Sequence, residues 1–373
     1  MQKVILNFVV IAFVISSIFL ACNAENEMEE MEVEQVLPVD RVAMLTNIFD
    51  NAAAPAYEIF EAETDKLLEA ANVFRENANA ANLQALQTQW LNTKLAWEAT
   101  EIYDISPIDD LFLHNKIDKY PINQKFVEKN LDKDAEVIDE SLVENSGSTT
   151  KGLPVLEYLL FRSEAGDDIL TQFTESTRAT QYVNYVVALC QNLKTQAALV
   201  KTEFSKIREE FINNTIDGIN GSVNNLANVQ VGLIEEILRA KINKPLGNED
   251  VGIPQPQKVE TPYANVSLQA IRQNLVGLRN SFVGDESKAN LYALLDEVHT
   301  GNEEKLSATI AKAFEDSIKE IDQLEGSIAE LVNSNPDQLN SLGEAITRLG
   351  VAVKVDMANQ LGLTIVFNDT DGD

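Results

Sequence analysis

The stretch that decides the fold is residues 151–161, which read KGLPVLEYLLF. At roughly 100° per residue of helix, its apolar side chains surround the helix axis almost completely, and Glu157 falls between Leu160 and Phe161. A helix that is apolar on nearly every side is normally buried. An unpaired buried carboxylate is costly, so Glu157 needs a cation, a proton or a metal ion as its partner.

The composition favours a helical protein with a substantial core. The chain has 373 residues, of which 45% are hydrophobic and 7% aromatic, with 16 glycines and 10 prolines. This length allows one large domain or two ordinary ones. The formal net charge of −30 argues against a nucleic-acid partner. A strongly negative chain suits the recruitment of cations, although simple solubility explains the same charge.

The first 38 residues are predicted to be a targeting segment followed by a tether. Residues 4–20 are mostly apolar, and FLAC at residues 19–22 matches a lipobox, which predicts a lipoprotein signal peptide over residues 1–21. We expect Cys22 to carry acyl chains that anchor the chain to a membrane, with an uncleaved signal anchor as the alternative. Residues 22–38 are acidic and lack a hydrophobic period, as a flexible tether does. The expected location is the bacterial cell envelope. Asn23, rather than an aspartate, follows Cys22, and this favours the outer membrane. Both the periplasmic and the surface face of that membrane stay open.

Nearly every segment from residue 39 onward carries a helical period, which predicts an all-α fold. We expect two helical-bundle domains, one over residues 39–165 that carries the apolar helix and one over residues 166–373. A short extended segment is predicted at residues 364–367. Cys190 is expected to be a small core residue. The main predicted helices cover about residues 40–77, 80–103, 176–212, 220–242, 265–282, 287–299, 302–332 and 336–361.

Charged residues lie on the apolar face of the helix predicted at about residues 80–103. Its apolar side chains span about half of the helical circumference, and Lys94, Glu98 and Glu101 project from the middle of that arc. Two interpretations remain open. In the first, Lys94 and Glu98 form a local ion pair. In the second, Glu98, Glu101 and Glu157 wall a polar site between helices, as carboxylates do in the metal sites of helical bundles.

Several catalytic patterns are absent from the sequence, and no catalytic residue is predicted. There is no His-Glu-x-x-His zinc helix, no Gly-x-Ser-x-Gly elbow and no phosphate-binding loop. The two histidines, His114 and His299, stand alone rather than at a metal-ligand spacing. Residues 369–373, DTDGD, are not expected to form an EF-hand calcium loop, because aligning Gly372 with the invariant glycine puts Phe367 at the first ligand position.

The apolar helix also carries a family resemblance. Residues 152–157, GLPVLE, resemble the Gly-x-His-x-x-Glu motif of the imelysin family, with Gly152 and Glu157 matching and Pro154 at the histidine position. Proline offers no side-chain ligand, so a histidine ligand is missing from this motif. Other stretches resemble the family in the same order along the chain. They are Trp90, Trp97-Glu98, Ser106-Pro107, IDKYP at 117–121, ETPY at 260–263, Ser267-Leu268 and DTDGD at 369–373.

The resemblance implies an all-helical envelope protein with an iron-uptake or iron-regulated role, from a family once classed as metallopeptidases. It also marks Asp118 and Tyr120 as candidate site neighbours, beside the carboxylates Glu98, Glu101 and Glu157. No cofactor is certain. Iron or another divalent or trivalent cation is the favoured ligand, since carboxylate oxygens suit hard metals.

Three hypotheses of function follow. The leading one is a lipid-anchored envelope protein that binds iron, another hard cation or a small ligand. Its expected partners are the membrane, through the lipid anchor, and a transport protein of the envelope. The second is a non-catalytic cell-surface interaction scaffold whose site has degenerated, which Pro154 favours. The third and weakest is a metallopeptidase, because a helix with one glutamate and no histidine supplies too little for water activation.

Overall fold

The computed structural model describes residues 39–162, 168–249, 252–285, 287–300 and 304–366. Within these ranges the regular structure is helical and contains no strand, which confirms the all-α fold class. In the same ranges, no helix is both long and apolar enough to cross a membrane. The predicted signal peptide, Cys22 and the acidic tether lie outside the described residues.

The α-helices number eighteen in the described ranges. In chain order they are α1 (Arg41–Ile48), α2 (Ala54–Glu76), α3 (Ala80–Glu98), α4 (Leu113–Ile117), α5 (Gln124–Leu131), α6 (Glu140–Glu144), α7 (Gly152–Phe161), α8 (Ile169–Thr174), α9 (Ala179–Lys206), α10 (Arg208–Asn213), α11 (Ser222–Glu236), α12 (Lys244–Leu246), α13 (Ser267–Val283), α14 (Leu291–Glu297), α15 (Leu306–Asp322), α16 (Ile328–Ser334), α17 (Pro336–Val351) and α18 (Ala358–Leu361). Three π-helical segments, Phe49–Ala53, Ile237–Asn243 and Ala352–Met357, continue α1, α11 and α17.

Local sequence signals set the starts of the first helices. Asp40 caps α1 by accepting a hydrogen bond from the Ala43 backbone N–H at 3.0 Å, as a short polar side chain at that position does. Asn79 caps α3 in the same way, through the Asn82 N–H at 3.0 Å. Pro55 lies at the start of α2, directly after the π-helical segment Phe49–Ala53.

Helices α2, α3 and α9 pack side by side as the first group of helices. Aromatic rings fill the space between them. The Phe49 and Phe204 rings stack with centroids 4.7 Å apart, and the Phe60 and Trp97 rings lie 5.1 Å apart. The motif helix α7 joins this group through the Trp90 indole N–H, which donates to a backbone carbonyl of α7 at 3.0 Å.

Helix α9 begins after the predicted division of the chain at residues 165 and 166 and connects the two sides of that division. Its main neighbour is α2, which precedes the division. Its buried face, which includes Val186, Leu193 and Val200, is apolar at helical spacing and is covered by the first group of helices. Contacts group all helices after residue 38 into one compact unit.

The second group of helices contains α11, α13, α15 and α17, and it meets the first group where α13 packs against α3. The π-helical segment Ile237–Asn243 and the segment 259–266 lie in this second group. These elements, together with α3 and the turn after α4, position the site described below.

The sequence predictions differ from the structure in other places as well. The single helix predicted at about residues 302–332 is two helices, α15 and α16, because Ser327 caps a new helix after a break at residues 323–327. The helix predicted to end near Tyr103 leaves the α conformation after Glu98 and finishes as a 3-10 turn, Glu101–Tyr103. The extended segment predicted at residues 364–367 is not a strand over its described residues 364–366. Its Thr364 N–H instead donates to the side chain of Asn224 on α11 at 2.7 Å.

Candidate functional site

Gly152 begins the motif helix because no other residue fits there. Its φ is +78°, in the left-handed region, which favours glycine. An added Cβ would lie 2.2 Å from the Ile117 carbonyl oxygen. Pro154 is buried in the first turn of α7, where backbone N–H groups need no helical partner. Both motif residues therefore shape the helix, and neither supplies a ligand atom.

Glu157 is held by backbone donors. It is 2% exposed, and its Oε1 accepts hydrogen bonds from the Tyr263 and Ala264 backbone N–H groups, each at 2.8 Å. Burial raises the pKa of the Glu157 carboxyl to about 7, although the two backbone donors lower it. The carboxylate of the motif helix is thus tied to the segment after Glu260, and among the described residues no lysine or arginine pairs with it.

A second group of carboxylates surrounds Lys94. The Lys94 Nζ lies 2.5 Å from Asp118 Oδ2 and 2.7 Å from Glu260 Oε1, and it also pairs with Glu98 Oε1. All four side chains are buried. Burial lowers the pKa of the Lys94 ammonium, but Asp118, Glu260 and Glu98 outweigh burial and hold it well above its ordinary value. Lys94 is therefore charged. We call Lys94, Glu98, Asp118 and Glu260, with Lys241 and Glu101 described next, the carboxylate cluster.

Lys241 enters the same cluster from the π-helical segment Ile237–Asn243. Its Nζ lies 2.9 Å from Glu98 Oε2, 3.2 Å from Glu260 Oε1 and 3.6 Å from Glu101 Oε2. Asn274 of α13 completes its surroundings, accepting from Lys241 at 2.9 Å and donating to Glu101 Oε2 at 2.8 Å. Lys241 is only 1% exposed. A buried cation of this kind is retained only with such partners.

The carboxylates differ in how the two lysines affect them. Burial and the neighbouring Glu98 raise the pKa of Glu101 well above its ordinary value. Burial raises the pKa of Glu98 as well, but Lys241 and Lys94 outweigh it and hold that pKa well below the ordinary value. Burial and Glu98 raise the pKa of Glu260 to about 7 against the pull of the lysines.

Several oxygens of this site have no hydrogen-bond partner among the described residues. They are Glu98 Oε1, which faces Lys94 without hydrogen-bond geometry, and Asp118 Oδ1, Tyr120 Oη and Glu260 Oε2. Ligand oxygens of Glu98, Asp118 and Glu260 lie within 4.8 Å of one another. Hard cations take oxygen ligands at about 2.0–2.6 Å, so one ion can bridge oxygens at such separations. The donor set therefore fits a hard cation.

The structure brings together some of the predicted site residues and separates others. Glu98, Glu101 and Asp118 meet in the carboxylate cluster. Burial and then Glu260 raise the pKa of the Tyr120 phenol well above its ordinary value, so Tyr120 lies in the field of this cluster. Glu157 is bound to backbone amides instead. The prediction that these side chains bind a ligand stays a prediction.

Two residues of the carboxylate cluster, and a neighbour that hydrogen-bonds to it, were missed from the sequence. Lys241, Glu260 and Asn274 come from separate elements, and each is at most 4% exposed. A usable signal existed for Lys241, because it stands next to Ile242 in an apolar helical run. Glu260 was noticed only as part of a family-like stretch, and nothing in the sequence marked Asn274.

A cleft of about 820 Å³ lies between α2, α3 and α13. On α3 it is lined by Asn92, Leu95 and Ala96. At roughly 100° per residue, Asn92 and Ala96 lie on the side of α3 opposite Lys94 and Glu98. The cleft has the volume of a small-molecule site, but none of the cluster residues lines it.

Comparisons with known proteins agree with this architecture. A solved imelysin-like protein from Psychrobacter arcticum superposes with a TM-score of 0.72 at 20% identity, covering 89% of this chain and 100% of that one. A Parabacteroides distasonis protein, named provisionally as an iron-regulated protein A precursor, gives 0.71 at 17% identity, covering 88% and 97%. At such identities these structures show a shared fold.

Sequence comparisons identify the family to which the chain belongs. Iron-regulated protein A of Synechococcus elongatus is 23% identical over 261 residues, which is 66% of this chain and 66% of that protein, just under two thirds of its length. The sequence model described as Imelysin matches residues 53–353, well over half of the chain. The chain therefore belongs to the imelysin family.

Proposed function

We propose that this chain is an envelope binding protein with an iron-related role, held to the membrane by lipid on Cys22. Its ligand is iron or another hard cation, taken at the carboxylate cluster. The iron-regulated name of the Synechococcus relative supports the iron-related part of this proposal. The lipobox at residues 19–22 supports the anchor.

The observation that carries the proposal is the arrangement of three carboxylates around one point. Glu98, Asp118 and Glu260 present oxygens within 4.8 Å of one another, and each also has an oxygen without a hydrogen-bond partner among the described residues. Carboxylate oxygens from different elements are the ligands that hard metals select. Buried carboxylates without full hydrogen bonding are costly, and a bound cation relieves that cost.

Lys94 must shift for a metal ion to enter. Its ammonium lies against the same three carboxylates, and a flexible four-carbon stem lets a lysine head group move without a change in the backbone. Binding in this account is an exchange of one cation for another.

The test is calorimetric titration of the purified protein with Fe²⁺ under anaerobic conditions and, separately, with Ca²⁺. We expect one cation per chain, lost in Asp118→Asn. The matched control is Asp132→Asn, the same change at an exposed aspartate that pairs with Arg178, which should leave binding intact. Absence of binding by the folded protein, or equal binding by Asp118→Asn, contradicts the proposal.

A second candidate function is a non-catalytic interaction scaffold. It is favoured by the two lysines, because Lys94 and Lys241 already neutralise the carboxylates that a metal would use. Under this alternative the cluster only joins the two groups of helices, and the folded wild-type protein binds no cation in the same titration.

A further inference from the structure

We infer that Lys94 is a built-in cation that occupies the metal position of the carboxylate cluster and thereby limits its affinity for metal ions. This inference rests on the proposed function for the location of the site, since both use Glu98, Asp118 and Glu260. Beyond that function, it assigns to Lys94 the control of the affinity of this site for metal ions. Removing the Lys94 charge should convert a weak or closed site into a tight one for a divalent cation.

The first support is the position of the ammonium. Lys94 Nζ contacts the three carboxylates whose oxygens lie within 4.8 Å of one another, with Asp118 Oδ2 at 2.5 Å and Glu260 Oε1 at 2.7 Å. These carboxylates come from α3, from the turn after α4 and from the segment after the 3-10 turn Pro256–Lys258. A lysine head group is a compact point charge, and here it lies where a single ion would contact all three.

The second support is unused acceptor capacity. Two oxygens of these three carboxylates, Asp118 Oδ1 and Glu260 Oε2, are buried without a hydrogen bond among the described residues. Both oxygens of Glu98 face a lysine, Oε1 facing Lys94 and Oε2 facing Lys241. A hard divalent ion takes six or more oxygen ligands and can bind carboxylates through both oxygens. The carboxylates are therefore better matched to a metal ion than to the lysine they hold.

The third support is the charge balance of the cluster. The cluster sets the two positive charges of Lys94 and Lys241 against four carboxylates, so its formal charge is negative. A divalent ion in place of Lys94 would bring the positive and negative charges closer to balance. This balance favours exchange in a buried site, where uncompensated charge is costly.

Lys241 provides a matched control within the same cluster. It is the same residue type and equally buried, and it contacts Glu98, Glu260 and Asn274. Among the described residues it forms no ion pair with Asp118. Lys241→Met therefore removes one positive charge while Lys94 stays between the three carboxylates.

The experiment compares Mn²⁺ binding by the wild-type protein, Lys94→Met and Lys241→Met at constant pH. Binding is measured from the electron paramagnetic resonance signal of the Mn²⁺ that remains free. We expect Lys94→Met to bind one Mn²⁺ per chain at least about 100-fold more tightly than wild type, because like charges in contact are strongly unfavourable. Lys241→Met should gain much less. Lys94→Met with the same affinity as wild type or as Lys241→Met overturns the inference.

A variant that fails to fold is covered by two further measurements. Lys94→Gln removes the charge and keeps a hydrogen-bond donor, and both Lys94 variants are also refolded from urea with and without Mn²⁺. If a Lys94 variant folds only when Mn²⁺ is present, and the double variant Lys94→Met/Asp118→Asn does not fold even then, the inference is supported. If the Lys94 variants neither fold nor bind in the presence of Mn²⁺, the inference is overturned. If the wild-type protein binds no cation but a Lys94 variant does, the proposed function is contradicted. The inference that Lys94 occupies the metal position is still supported by that result.

Discussion

Replacement of Glu157 by glutamine tests how the motif carboxylate stabilises the protein. Glu157 Oε1 accepts two backbone hydrogen bonds at 2.8 Å in a nearly fully buried position. Glutamine keeps a carbonyl oxygen for these donors but cannot titrate. The difference in stability between wild type and Glu157→Gln therefore isolates the protonation of this one carboxyl.

The magnitude follows from the raised pKa. Burial, partly offset by the two backbone donors, raises the pKa of Glu157 from 4.5 to about 7, a gap worth roughly 3 kcal/mol. The folded protein holds this proton more tightly than the unfolded chain does. The stability from the protonated carboxyl is therefore complete below about pH 4.5. It is lost as pH rises through about 7.

The assay is urea unfolding followed by far-ultraviolet circular dichroism at several pH values from 4.5 to 8. The free energy of unfolding of wild type minus that of Glu157→Gln should fall by roughly 3 kcal/mol across this range. Burial and then Glu98 also raise the pKa of Glu260 to about 7. Because Glu260 is present in both proteins, its pH-dependent contribution to stability cancels in the difference. Glu76→Gln, at an exposed glutamate of α2, is the control. A difference that stays constant, or that grows with pH, refutes the argument.

Two other predictions concern the motif glycine and the anchor. Gly152→Ala should destabilise the protein by about 3 kcal/mol or more in urea unfolding, because it adds left-handed strain and a Cβ only 2.2 Å from the Ile117 carbonyl oxygen; a loss below about 1 kcal/mol would contradict this. Cys22→Ser should move the protein from the membrane fraction to the soluble fraction and abolish palmitate labelling, and unchanged fractionation would show that lipid on Cys22 is not the anchor.

Much of the fold could be predicted from residues that are close together in the chain. Helical periodicity and the caps at Asp40 and Asn79 depend on neighbours three or four positions away. The unusual placement of Lys94, Glu98 and Glu101 on an apolar face was visible for the same reason. These signals are local, so a single sequence contains them.

The partners of those charges could not be predicted, because they arise from tertiary packing. Lys241 lies 143 positions from Glu98 along the chain, and Glu260 lies 166 positions from Lys94. The partner of Glu157 was harder still, since backbone N–H groups are present at nearly every residue and leave no mark in the sequence. The location of α9 beside α2 likewise depends on which apolar faces meet.

The most direct test of the cation site is an anomalous difference map from crystals of the wild-type protein grown with Fe²⁺ under anaerobic conditions, recorded on both sides of the iron absorption edge. The account predicts one peak between Glu98, Asp118 and Glu260, with the Lys94 ammonium displaced from these carboxylates. A peak elsewhere in the molecule, or no peak while Lys94 still contacts all three carboxylates, would contradict it.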